Sequence, residues 1–222
     1  MRILKYLIVS LSASLSFGLL AISPATFAGE GPGYTVLTDP QSTDSGKKVE
    51  VTEFFAYGCP HCFGFDPVLA AWVKKQGDQI VFKRVPVNFR PEWVLHERMY
   101  YALEAMGKLE DTHAKIFNAL HVDRQRLDND EAILALMIKL GIDKQKFTDA
   151  YGSFSVQAKV KRVGQLQASY KIDQVPLVVV DGRYATSPSK AGEMIGHDKP
   201  ESEQQKVAIK ILDDLVAKSK KK

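Results

Sequence analysis

Cysteine is scarce in this chain: two occur among 222 residues. That excludes a disulfide-stapled mini-fold, which needs several bridges in a short chain. It also argues against a structural zinc site. Such a site takes three or four ligands, and no second pair of close cysteines follows the first. His96, His113, His121 and His197 show no ligand spacing and read as surface or locally bonded side chains, so no metal is expected. Charge of one sign is equally short. The formal net charge is +4, and Arg2 and Lys5 supply two of it from a segment expected to be removed. That excess is too small to suggest nucleic acid. The cluster Lys218, Lys220, Lys221 and Lys222 reads as a solvated tail. Beyond residue 20 no apolar run reaches the roughly 20 residues of a spanning helix. Repeats and low-complexity tracts are absent, and Asn88 starts no glycosylation sequon, since Arg90 holds the third position.

What is present suits one domain, or one domain with an insertion. Hydrophobic residues make up 45% and charged residues 25%, enough to bury a core. The first 28 residues have the pattern of an export signal. Arg2 and Lys5 precede an apolar stretch over 7–20, Pro24 breaks it, and Thr26-Phe27-Ala28 offers small residues for cleavage after Ala28. The competing reading, an uncleaved anchor, has a run too short to span. In an oxidising compartment Cys59 and Cys62 are expected to pair. The loop they close is tiny, so the bridge contributes little to folding and is a better candidate for chemistry than for stapling.

Elements follow from periodicity and punctuation. Short strands are expected at 34–37 and 80–89, and a buried strand at 49–57. A helix is expected from Pro60 to about Gln76, with Pro60 in the first turn and Pro67 as a kink. From 91 to about 170 the pattern is helical, with Asp128 and Glu131 resembling a capping box and Asp143 a cap. Gly141 suits the residue after a helix end. A strand at 177–180, an Asp181-Gly182 turn and a strand at 183–185 come next, then a loop over 187–200 and an amphipathic helix over 201–218. Residues 29–33 are expected to be flexible. This is an α/β chain: one sheet in two parts, 29–90 and 166–222, around a helical insertion at 91–165.

The chemistry gathers at Gly58-Cys59-Pro60-His61-Cys62, a strand-to-helix junction. Only a thiolate attacks a disulfide. Cys59 at a helix N-terminus meets unpaired N–H groups and the positive end of the dipole, both favouring a negative sulfur. Cys62, a turn deeper, would be the resolving sulfur. His61 can offer Cys59 a hydrogen bond or a positive charge, stabilising the reduced pair and strengthening it as an oxidant.

Val51-Thr52-Glu53-Phe54-Phe55 leading into Cys59-Pro60-His61-Cys62, with Val175-Pro176 downstream, closely resembles the DsbA group of bacterial periplasmic disulfide oxidases. The resemblance extends through Val87-Asn88-Phe89, the helical insertion and the closing helix. It implies a thioredoxin fold with an inserted all-helical domain and a cis Pro176 facing the cysteines. The backbone at Val175 would pair with an extended, reduced protein substrate. It also implies a proton-transfer role for Glu53 beneath the cysteines, for which Lys83 and Arg84 are both candidate partners. A DsbB-type, quinone-linked membrane partner would reoxidise a monomeric, cofactor-free enzyme in the periplasm. Two other readings stay open: a disulfide isomerase or reductase, and a non-enzymatic peptide-binding chaperone. Apolar side chains around Phe63, Phe65 and Val175 are candidates to line a substrate groove.

Overall fold

A computed structural model describes residues 30–220; the expected leader, residues 1–28, lies outside them. The sheet is built around β3 (Val49–Phe55), whose seven residues are all buried. A strand covered on both faces needs apolar character on both, and Val49, Val51, Phe54 and Phe55 supply it. β3 runs parallel to β4 (Ile80–Pro86) on one side and antiparallel to β5 (Leu177–Val180) on the other. β5 continues through a tight hairpin into β6 (Tyr184–Thr186), which pairs with β2 (Tyr34–Val36), and β2 with β1 (Glu30–Gly31). The sheet order is β1-β2-β6-β5-β3-β4.

Each face of the sheet has its own core. On one, Val51, Val178 and Val180 meet Phe65, Leu69 and Trp72 of α1 (Pro60–Gln76), and Leu212 and Leu215 of the closing helix. On the other, Phe54, Phe55 and Val179 meet the helices inserted between β4 and β5. These are α2 (Trp93–Ala105), α3 (Leu109–His121), α4 (Asp130–Lys139), α5 (Lys144–Gly152) and α6 (Phe154–Ser169). Two helices follow β6: α7 (Pro188–Ile195) and α8 (Glu201–Ser219). This is the thioredoxin fold with a helical insertion, and α6 carries the helical segment past residue 165 to Ser169.

Several local expectations need correction. Ser187-Pro188 opens α7 where a loop was expected: the Ser187 hydroxyl accepts from the N–H of Lys190 at 3.0 Å, and Pro188 sits in the first turn. Helix α4 is capped by Asn129, which accepts from the N–H of Ala132 at 2.8 Å, so Asp128 forms no capping box. Glu30–Gly31 is paired strand rather than free chain, because Thr35 and Tyr34 offer it an edge. The strands expected over 49–57 and 80–89 stop at Phe55 and Pro86, where the chain turns toward the cysteines and the insertion. The connection is three residues long, Asp181, Gly182 and Arg183 between the paired Val180 and Tyr184, and its tight bend sets both Asp181 and Gly182 at positive φ, 54° and 60°.

Candidate functional site

The site forms where β3 ends. A tight turn, with the N–H of Cys59 bonded to the carbonyl of Ala56 at 3.0 Å, feeds directly into α1. Gly58 is needed in it, since a Cβ there would meet the Trp93 indole at 2.6 Å. Cys59 is the N-cap of α1. Its extended backbone (φ −90°, ψ 117°) aims Sγ back over the first turn, where it accepts from the N–H of Cys62 at 3.4 Å. Pro60 occupies the first helical position, whose N–H has no partner in any helix. Both cysteines are free thiols. Cys59 is 7% exposed and Cys62 is sealed off at 0%.

The two thiols are driven apart. A hydrogen bond from the Cys62 thiol lowers the Cys59 pKa to about 6, against burial and aided by the N–H groups of Cys62 and His61; the charge of His61 contributes least. Burial pushes Cys62 strongly the other way, and the neighbouring Cys59 adds to it. At neutral pH one sulfur is a nucleophile and the other holds its proton.

The His61 ring turns toward α8. Its Nδ1 lies 3.1 Å from Oε1 of Glu201 at the start of α8, while Sγ of Cys59 reaches the carbonyl of Val175 at 3.6 Å. The Val175–Pro176 bond is cis, and this turn faces the cysteines. A cleft of about 530 Å³ runs beside it, lined by His61, Gln174, Val175, Pro176 and Lys199. Phe63 is half-buried and stacked on His121 at 4.9 Å. Phe65 is 0% exposed and faces the core, so it cannot line a groove.

Beneath the cysteines is a buried chain of polar groups. Glu53, 1% exposed, accepts from Nε of Arg84 at 3.0 Å. Arg84 is therefore its partner; Lys83 turns outward to Glu50 and Asp44. The other arm of Arg84 reaches Asp66 at 3.2 Å. Asp66 takes Nε2 of His113 at 3.1 Å, and Nδ1 of His113 meets the Tyr57 hydroxyl at 2.8 Å. Burial raises Glu53 to about 7; Arg84 opposes this and Asp66 assists it. Burial would raise Asp66 too, but His113 and Arg84 together hold it below the usual carboxylate range. Asp66, His113 and Tyr57 carried no local signal as site residues, and only an acid among the apolar positions of α1 hinted at a buried partner. His96 and His121 are ordinary structural histidines, bonded to the carbonyls of Leu127 and Tyr57.

Such an arrangement can accept and release a disulfide. Comparison with known proteins agrees. Residues 50–207 match the model of the DSBA-like thioredoxin domain. The chain is 46% identical over 187 residues to the thiol:disulfide interchange protein DsbA of Burkholderia cepacia, covering 84% of this chain and 88% of that one. It is 36% identical to the Bordetella pertussis protein of the same name, covering 90% of each. Among solved structures, Pseudomonas aeruginosa DsbA superposes with a TM-score of 0.75 at 31% identity, covering 84% of this chain and 92% of that one. The chain belongs to the DSBA-like thioredoxin family and is a thiol:disulfide oxidoreductase.

Proposed function

We propose that this oxidoreductase works as a dithiol oxidase, donating the Cys59–Cys62 disulfide to reduced, extended proteins. The difference between its two thiols supports this reading most directly: Cys59 is lowered to about 6 while Cys62 is raised. A substrate thiolate attacks Sγ of Cys59, the S–S bond breaks, and Cys62 leaves with the electron pair. Glu53, near neutrality, supplies the proton Cys62 takes up. A second substrate thiolate attacks the substrate sulfur of the mixed disulfide, and Cys59 departs as its favoured thiolate. The substrate loses two electrons and the protein gains them. Val175 and Pro176 border the place where a substrate strand would lie, and Pro60 and His61 shape the helix end.

The family resemblance supports a periplasmic setting, reached by cleavage of residues 1–28, a monomeric enzyme, and reoxidation by a DsbB-type membrane partner. The test is trapping. Cys62→Ser, first charged at Cys59 as a mixed disulfide with glutathione by oxidised glutathione, should exchange that glutathione for a thiol of a reduced substrate protein and accumulate the protein–substrate mixed disulfide, whereas Cys59→Ser, its remaining thiol buried, should form none. Equal trapping by both variants would reverse or remove the assignment.

A further inference from the structure

Glu201 opens α8 and bridges it to the first turn of α1. The oxygen that faces His61 at 3.1 Å also accepts from Nε2 of Gln205, one turn along, at 3.4 Å. Gln205 is buried, so the carboxylate is steadied from beneath. Gly64 of α1 lies against the same pair: a Cβ there would make ordinary contact, 3.4 Å from Nε2 of Gln205 and 3.7 Å from Oε1 of Glu201. The result is a His61 ring drawn toward α8. The Cys59 sulfur meanwhile contacts Cys62 and Val175, and the imidazole is the weakest of the influences favouring its thiolate.

We propose that Glu201 is a positioning residue that limits the oxidising power of the Cys59–Cys62 pair by acting through His61. The inference rests on Cys59 being the exchanging thiolate. A ring nitrogen engaged by a carboxylate cannot donate to the sulfur, and a negative charge beside the ring offsets its positive field there. Both effects weaken the reduced form and lower the potential. Glu201 also suits the first turn of α8 through the helix dipole, but that contribution is the same in both redox states.

The test is the equilibrium with graded glutathione at pH 7 for the wild type, Glu201→Gln, His61→Ala and the double variant. Glu201→Gln should move the equilibrium toward the reduced protein by roughly two- to fivefold, the scale of an exposed ion pair. In the His61→Ala background it should add nothing. Three results overturn the proposal: no shift, a shift toward the oxidised protein, or the same shift without His61. The last would mean that the carboxylate acts directly on the sulfur. Denaturation of both redox forms accompanies the measurement. An equal loss in both, with an unmoved equilibrium, assigns Glu201 to the helix end alone and also overturns the proposal. A wild-type pair that does not exchange with glutathione would instead remove the reading of the site, so the two failures are distinguishable.

Discussion

Two side chains with displaced titrations carry the chemistry, and their signs differ. The Cys59 thiol is depressed in the folded protein, from 9.0 to about 6. An acid whose folded pKa is lowered stabilises the fold above its unfolded value, and that stability is lost as pH falls through the folded value. The oxidised protein has no such group. The reduced form should therefore gain on the oxidised one between about pH 6 and 9. At pH 7 about one unit counts, worth about 1.4 kcal/mol or about 30 mV. Absorbance of the thiolate should show a midpoint near 6 that Cys59→Ser abolishes. Glu53 is raised, from 4.5 to about 7. Its folded pKa lies above the unfolded one, so the wild type loses stability as pH climbs through that window. Glu53→Gln should consequently gain on the wild type from pH 5 to pH 8, by up to about 3 kcal/mol. Denaturant unfolding at the two pH values reads it, and a variant that gains nothing on the wild type, or loses ground to it, as pH rises would contradict the assignment.

Secondary-structure elements, rather than single residues, aim these groups. The buried run of β3, the Gly58 turn and Pro60 at the head of α1 are local signals, and the junction was legible from them. So was the hairpin at Asp181-Gly182. Gly182 there has φ 60° and approaches the carbonyl of Gln41, to which an added Cβ would come within 2.1 Å. Gly182→Ala should cost more than about 1 kcal/mol through strain and the clash with backbone. A melting temperature within error of the wild type would show that the turn can relax. Helix α7 was missed because Ser187-Pro188 heads only eight residues, too few for periodicity to declare itself. The α4 cap was misplaced because Asp128 and Asn129 are both good caps, and only tertiary placement chooses between them.

At the scale of the molecule, the insertion is fastened to the sheet through the same buried network that underlies the cysteines. His113 comes from α3, Asp66 from α1, Arg84 from β4 and Glu53 from β3. His113 and Asp66 lie 47 residues apart in sequence, a pairing no local pattern reveals. Removing His113 leaves Asp66 buried with one fewer donor and the Tyr57 hydroxyl without its partner. His113→Ala should destabilise the fold by about 3 kcal/mol, as expected for a breached buried polar network. It should also shift the pH dependence of Cys62 release, since Asp66 acts on Glu53. An unchanged profile would confine His113 to packing.

The chemistry depends on the fold stabilising the Cys59 thiolate, which makes the disulfide easy to give away. The direct measurement is the equilibrium of the Cys59–Cys62 pair in a graded glutathione buffer at pH 7. The account predicts reduction at a potential well above the about −270 mV of thioredoxin. A pair that stays oxidised down to that potential would contradict it, leaving a reductant or an inert bridge at the head of α1.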